Sequence, residues 1–518
     1  MILRGARLDQ TTVSGMTPIM AAAAQGHIET VMFLADQGAS LEWKDKNDQT
    51  IIHLAAQNNQ DDVIKAILDL ESTPKDFMVN ENDQLDNTPL HLACAAGHLD
   101  SVKVLIEAGA DSDNKNEDEK TPFHMAAERG HVEVVEFILN NDKNAKNDCD
   151  EDDNTALHLA ASNKMTNTVE TLLECGSDVR KRNNKDWTPL DCAAAAGSYK
   201  CVLRILEAGS DLDPMDKKQT TPLHLTAIHG HANVTRLLMD WGAKIEIENT
   251  DGKNALELAI ENGHKSVAEV ILGSPHWRKA MISSSIGSNE WLDTPLRMLI
   301  RKFPSLAVKV LDNCITKESV GEVDENNNSS SHVNDSGKVE YKFDYTFLED
   351  TYNYKRHVLK KEVDLTTFTD NSKEEKEKIR FEWDSTSRKP YSKSALVIQN
   401  NHPLQLMCRQ QQKTLMKHPL CLALLRHKWN RFQFLFWFYI IFYLVYLGLI
   451  TTFVMMDLDL ISSHNRSTLN ALRWPIFIYI CVGLVLELFD LYRVNNFYFF
   501  SYVHLRSRIH SIDEAFLL

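Results

Sequence analysis

The chain has 518 residues, of which 43% are hydrophobic and 25% are charged, and its formal net charge is −16 at pH 7. This acidic balance argues against a nucleic acid as partner, because binding to nucleic acids requires basic surfaces that neutralise phosphates. The nine cysteines contain no C-x-x-C pair, which suits a reducing cytosol better than a disulfide framework. The N-terminus lacks the apolar core of a secretory signal peptide.

A phrase of about 33 residues repeats along the first half of the chain. It reads Thr88-Pro89-Leu90-His91, followed by Gly97-His98, and it returns at Thr121 and Thr221. Weaker copies begin at five further positions, which are Thr17, Thr50, Thr155, Thr188 and Asn254. This period and the T-P-L-H core are typical of the ankyrin repeat, so the sequence predicts a stack of paired helices.

Each position of the phrase has a local physical reason. Thr88 can cap a helix, and Pro89 is tolerated at a first position where no amide donor is needed. Gly97 ends the first helix, and Leu105 lies on the apolar face of the second. A single helix pair cannot bury that face, so neighbours must stack. We therefore expect a mainly α fold, with an ankyrin-repeat α-solenoid of about eight to nine repeats over residues 14–315.

The repeated histidines admit two interpretations. His91, His124, His158 and His224 recur once per repeat, about one layer apart, which favours hydrogen bonding at helix starts. A metal site would require ligands that converge on one point, so we expect no metal there.

The regions that flank the repeats have a different composition. Residues 1–13 have the form of the end of an incomplete repeat, so we expect either a longer gene product at the N-terminus or an internal start codon. Residues 316–337 contain runs of Asn and Ser and are predicted to be a disordered linker. In the cytosolic linker region 338–401, aromatic and apolar residues alternate with other residues as in a strand. These residues are Val339, Tyr341, Phe343, Tyr345 and Phe347.

The last part of the chain has the pattern of a membrane protein. Residues 402–431 are predicted to form a basic pre-membrane helix, and residues 432–456 follow without a charge. A helix of that length extends roughly 37 Å, enough to cross a bilayer core of about 30 Å. A second crossing is predicted at 474–493. The flanking basic residues place the loop 457–473 outside and the tail 494–518 in the cytosol. Asn465 begins an Asn-x-Ser sequon in that loop, and the sequence leaves open whether this asparagine is glycosylated or unmodified.

Short motifs before the first apolar run carry a specific resemblance. Residues 401–407 read N-H-P-L-Q-L-M, residues 415–421 read L-M-K-H-P-L-C, and residues 425–429 read L-R-H-K-W. Together with the repeats, this His-Pro doublet resembles the ankyrin-type transient receptor potential channels, the A subfamily, and most closely the pyrexia-type members. The resemblance implies a plasma-membrane, calcium-permeable, non-selective cation channel that assembles as a homo- or hetero-tetramer and responds to temperature or irritants.

The same resemblance implies a partial cation site. Related channels hold a calcium ion at the cytosolic end of the second and third membrane helices, and the matching positions are Glu487 and Asp490. Their carboxylates share one helix face, but a solvated helix end near Arg493 explains them equally well. Family members have six membrane helices, with the pore between the fifth and sixth. Only two are recognised in this sequence, so the chain alone is not expected to conduct.

Two classes of function remain open from the sequence. One is a channel subunit or a fragment of one, whose repeats act as a cytosolic sensor and coupling domain. The other is a membrane-anchored ankyrin scaffold that binds cytosolic proteins. We expect no enzymatic activity and no cofactor beyond regulatory Ca²⁺, because no nucleophile elbow, phosphate loop or metal spacing stands out. Cys408 and Cys421 do not match the reactive cysteines of the family and are interpreted as structural.

Overall fold

A computed structural model describes residues 7–70, 78–282, 285–286, 292–319, 339–349 and 402–457. The chain divides into two compact units, Met1–Ala280 and Met281–Leu518. The described residues of the first unit are mainly short helices joined by tight loops, and those of the second unit include one long helix.

The first unit is a stack of helix pairs, as the repeats predict. Its described residues form eight pairs: α1 Pro18–Ala24 with α2 Ile28–Asp36, α3 Ile51–Gln57 with α4 Asp61–Leu68, α5 Pro89–Ala96 with α6 Leu99–Glu107, α7 Pro122–Arg129 with α8 Val132–Asn141, α9 Ala156–Ser162 with α10 Thr166–Glu174, α11 Pro189–Ala196 with α12 Tyr199–Glu207, α13 Pro222–His229 with α14 Ala232–Asp240, and α15 Ala255–Glu261 with α16 Lys265–Leu272. The described residues also form a 3₁₀ turn, Ala145–Asn147, and a short helix, α17 Trp277–Met281, at the boundary between the units.

The first helix of the third pair begins and ends as the sequence predicts. Thr88 has extended backbone angles, and it forms a capping box with His91 while Pro89 occupies the first helical position. Gly97 ends α5 with φ 79°, in the left-handed region that favours glycine. A Cβ atom at position 97 would lie 2.3 Å from the ring of His131, which belongs to the next repeat. The packing of that ring therefore also requires glycine at position 97.

The core of the first unit lies between neighbouring repeats. Helix α5 packs against α3 on one side and α7 on the other, while α6 packs against α4. Leu90, Ala93 and Leu105 are completely buried by this stacking. The alanines of the first helices permit close approach, and the stability of the unit is therefore distributed over the interfaces.

The second unit contains a further helix pair and two small sheets. Strand β1 Ser285–Ile286 pairs antiparallel with β2 Leu292–Asp293. Helices α18 Pro295–Lys302 and α19 Pro304–Asn313 form the pair, and Thr294 caps α18. Strand β3 Ile315–Ser319 then pairs antiparallel with β4 Val339–Phe343, with Ile315 opposite Phe343. In the described residues, the remaining helices are α20 Thr346–Glu349, α21 Pro403–Arg409, α22 Lys413–Met416 and α23 Pro419–Asp457.

The linker departs from its predicted boundaries in two places. Residues 316–319 belong to β3, although the disordered linker was expected to begin at residue 316. The strand of the second linker region ends at Phe343, so Tyr345 and Phe347 are not part of it. The Asp344 carboxylate accepts a hydrogen bond of 3.0 Å from the Thr346 backbone N–H, which starts α20 and buries Phe347 in a helix instead.

The expected basic helix over residues 402–431 is divided into two short helices and the start of a long one. Gln411 adopts φ 54° and ends α21, and Pro419 begins α23. The apolar run 432–456 lies within α23, which has 39 residues. Over the residues that the structure describes, no helix is both long enough and apolar enough to cross a membrane. The second predicted crossing, 474–493, lies outside the described residues.

Candidate functional site

Buried histidines at the helix starts connect four of the repeats to the ones that follow them. The His91 Nδ1 atom accepts the Thr88 backbone N–H at 3.1 Å, so the ring proton lies on Nε2. That Nε2–H donates to the Lys120 carbonyl oxygen of the next loop at 3.0 Å. The same bond to the following loop is made by three more of these rings, His53, His124 and His158. The geometry therefore gives these histidines the predicted helix-start role.

Burial keeps these rings neutral. It lowers the pKa of His91 to about 4, against weaker upward effects from the Lys120 carbonyl and nearby Asp83. Burial lowers the pKa of His158 and of His224 to about 4 as well. Neutral rings can accept at Nδ1 and donate at Nε2 at the same time, which this double connection requires.

A second set of histidines connects four of the repeats to the ones before them. The His131 Nε2–H donates to the Ala95 carbonyl oxygen at 3.0 Å, near the end of α5. Equivalent bonds are formed by His98, His231 and His264. Residue 165, at the same turn of the fifth repeat, is Met165, which cannot donate such a bond.

The sixth repeat replaces the helix-start histidine with an acid. Asp191 is 1% exposed, and its Oδ2 atom accepts the Thr188 backbone N–H and hydroxyl, each at 2.8 Å. Its Oδ1 atom is buried without a hydrogen-bond partner. Burial raises the pKa of Asp191 to about 7, and Asp216 adds to the rise while the Thr188 bonds oppose it. The change is visible in the sequence as T-P-L-D, although Asp191 was not among the residues predicted to have a role.

The His-Pro doublet forms two equivalent helix starts in the second unit. The His402 Nδ1 atom accepts the Leu404 backbone N–H at 3.2 Å, and His418 Nδ1 accepts that of Leu420 at the same distance. The His418 Nε2 atom also lies 2.9 Å from Asp312 Oδ1, on α19. His418 therefore fixes the start of the long helix α23 to the last helix of the α18–α19 pair.

The environment of His402 is apolar and cationic. Burial, together with Lys428 and Arg297, lowers the pKa of His402 to about 3. The ring is therefore neutral at physiological pH, and Nδ1 stays free to accept the hydrogen bond that starts α21. Sequence reasoning recognised this doublet as a family motif but did not assign it the capping role.

Cysteine and metal chemistry have little support in the described residues. Cys421 is buried, and burial raises the pKa of its thiol to about 12, so it is not a thiolate at neutral pH. Cys408 is half-buried on α21. In the described part of the chain, no three His, Cys, Asp or Glu side chains are placed to hold a metal ion. Glu487, Asp490 and Asn465 lie outside the described residues.

Comparison with known protein families identifies the first unit. The model for ankyrin repeats in three copies matches residues 1–78, 73–148, 141–216 and 205–279, which together exceed half of the chain. The chain belongs to the ankyrin-repeat family. The repeat prediction from the sequence is therefore confirmed.

Individual relatives extend this assignment. The chain is 29% identical over 456 residues to the transient receptor potential cation channel subfamily A member 1 homolog of Caenorhabditis elegans, covering 85% of this chain and 30% of that protein. It is 26% identical over 197 residues to the human subfamily A member 1, covering 37% of this chain and 17% of the relative. Human neurogenic locus notch homolog protein 1 is 29% identical over 191 residues, 34% of this chain and 7% of the relative.

The lengths of these matches separate the relatives. This ankyrin-repeat chain spans less than a third of either channel. The notch match is shorter than the repeat region, whereas the nematode channel match is much longer than residues 1–279. Its similarity to the nematode channel therefore extends beyond the repeats.

Proposed function

We propose that the chain is part of a cation channel of the ankyrin-type transient receptor potential family, with a transport rather than a catalytic function. The observation that carries this proposal is the 456-residue similarity to the nematode channel, which continues past the repeats into the second unit. A scaffold related only through its repeats would match over the first unit alone.

The long helix α23 supports a membrane position. Its apolar stretch 432–456 carries no charge, and several of its large apolar side chains are exposed: Phe434, Trp437, Phe438, Ile441 and Leu444. Such a concentration of exposed apolar area needs cover by lipid or protein. In this proposal lipid covers the helix, residues 474–493 form a second crossing, and both ends of the membrane region face the cytosol.

The start of α23 would couple the cytosolic repeats to the membrane. His418 caps α23 and reaches Asp312 on α19, so a displacement of the α18–α19 pair would act directly on the start of the long helix. In the proposed channel four such chains surround one pore. Calcium permeability, a response to temperature or irritants, pyrexia-type character and a Ca²⁺ site at Glu487 and Asp490 are further parts of this proposal.

A chimera tests the channel assignment. Residues 1–518 would replace the aligned segment of the nematode channel, and whole-cell currents would be recorded during a temperature ramp and after irritant application. We expect a cation current. The parental channel is the positive control, and the same chimera with Leu105→Asp, which places a charge between stacked repeats, is the negative control. If the chimera reaches the cell surface but gives no current while the parental channel conducts, the scaffold function is favoured instead.

Protease protection tests the orientation. The chain would be inserted into sealed microsomes with one tag at residue 518 and another within 457–473. We expect cytosolic protease to remove the first tag and spare the second. The reverse pattern would contradict the proposed topology.

A further inference from the structure

The loops between repeats join into a continuous strip along one edge of the first unit. We call the loops 115–120, 148–153, 181–186 and 214–219 fingers 4, 5, 6 and 7. The Glu151 backbone N–H of finger 5 donates to the Asp118 carbonyl oxygen of finger 4 at 3.2 Å. The Asn184 backbone N–H of finger 6 donates to the Asp152 carbonyl oxygen of finger 5 at 2.9 Å. The Lys217 Nζ atom of finger 7 donates to the Asn184 carbonyl oxygen at 2.7 Å. These bonds hold the four fingertips in register.

Fingers 4 and 5 form the acidic half of the strip. They contain eight carboxylates and two lysines. Lys115 pairs with Glu119 at 3.2 Å, and Lys120 lies 3.7 Å from Asp118. Four exposed carboxylates have no ion pair within the described residues, and these are Glu117, Glu151, Asp152 and Asp153.

Fingers 6 and 7 form the basic half. They contain five cationic side chains and two aspartates. Four exposed lysines make no ion pair among the described residues, and these are Lys181, Lys185, Lys217 and Lys218. Arg182 points along the strip and donates to the Met215 carbonyl oxygen at 2.7 Å, so it also stiffens the joint between the two fingers.

The order of these charges makes the strip complementary to itself. Packed helices lie about 8–10 Å apart, so each half covers roughly 20 Å along the stack. A two-fold axis between fingers 5 and 6 would place finger 5 of one copy on finger 6 of the other, and finger 4 on finger 7. Every acidic tip would then face a basic tip, as an isologous interface requires. We propose that this finger strip is the interface of an antiparallel homodimer of the chain.

A second copy fits this surface better than an unrelated partner. Such a partner would need the same basic-then-acidic order at the same spacing, and this chain already carries it. Exposed ion pairs are individually weak, and charges are screened beyond about 8 Å at physiological salt. The association is therefore weak, strongly dependent on salt, and independent of the proposed channel function.

Charge reversal on the full chain in detergent tests the proposal by sedimentation equilibrium at 50 mM and 500 mM NaCl. The first variant combines Lys181→Glu, Lys185→Glu, Lys217→Glu and Lys218→Glu. The second combines Glu117→Lys, Glu151→Lys, Asp152→Lys and Asp153→Lys. A matched control reverses four exposed cations elsewhere on the repeats, namely Lys143, Lys200, Arg236 and Lys265.

We expect wild-type chains and the control to dimerise at 50 mM NaCl and to dissociate at 500 mM. Each strip variant alone should associate at least roughly 100-fold more weakly, because like charges then face each other. An equimolar mixture of the two variants should dimerise again. Wild-type chains that show no salt-sensitive association, variants that alone keep this salt-sensitive association, or a mixture in which it does not return would each overturn the proposal. Assembly through membrane helices would survive salt and both variants, so the channel proposal is tested separately.

Discussion

Replacing Asp191 by Asn should make the sixth and seventh repeats less sensitive to pH. The Asp191 carboxyl is buried, and one of its oxygens has no hydrogen-bond partner. Asparagine retains an oxygen that can accept from Thr188. Its amide can also donate in the direction in which the histidines of other repeats donate. The variant therefore keeps the geometry and removes the charge.

The size of the effect follows from the pKa of Asp191, which burial raises to about 7. An aspartate in an unfolded chain has a pKa of about 3.9. Because the folded pKa is the higher one, protonation stabilises the fold, and this stability is lost as the pH rises from about 4 through 7. A difference of roughly three pH units corresponds to about 4 kcal/mol. Asp191→Asn should therefore stabilise this region by up to about 4 kcal/mol at pH 8 and by close to zero at pH 4.

Hydrogen exchange measured by mass spectrometry on the full chain can localise this effect. Opening free energies of amides in α11 and α13 would be compared at several pH values, after correction for intrinsic exchange. Asp153→Asn, a change of an exposed carboxyl on finger 5, is the matched control. An equal gain at pH 4 and pH 8 would show that folding does not raise the pKa of Asp191. No gain at either pH would show that the charge of Asp191 does not destabilise the fold.

Three further predictions concern packing and capping. Leu105→Asp should destabilise the stack by about 3–5 kcal/mol, because a charge replaces a fully buried side chain; urea unfolding checks this, and an unchanged midpoint would contradict it. His124→Ala should cost about 2 kcal/mol, since it removes both the capping box and the bond to the Asp148 carbonyl; equal stability would mean that water replaces the ring. In the channel chimera, His418→Ala should shift the activation temperature without reducing surface expression. An unchanged activation temperature would show that the helix cap formed by His418 has no role in gating.

The repeats were predictable from sequence because their determinants are local. Thr88 caps, Pro89 begins and Gly97 ends a helix through interactions within a few residues, and recurrence every 33 residues or so makes the pattern visible. Even the weak copy at Asn254 was located correctly, because its side chain caps α15 as threonine does elsewhere.

The linker and the pre-membrane region were harder to predict because their determinants are distant. Strand β3 exists through pairing with β4, about twenty residues later, which no local pattern reveals. Helices α21 and α22 separate at Gln411, a left-handed residue that is not glycine, so the usual stop signal was missing. The contact between His418 and Asp312 joins residues more than a hundred positions apart, and only the folded chain brings them together.

The helix starts carry two kinds of buried titratable group, histidine and aspartate. The contacts between neighbouring repeats, here called joints, should therefore depend on pH in opposite directions. The pKa values of His91 and His158 are lowered to about 4, below the value of about 6.5 in an unfolded chain. Their stabilisation is present above pH 6.5 and is lost as the pH falls through 4. Asp191 has the reverse dependence, because its pKa is raised. Above pH 7 the joint after the sixth repeat should therefore open first, and near pH 4 the histidine joints should open first. Exchange rates that rank the joints in the same order at both pH values would contradict this argument.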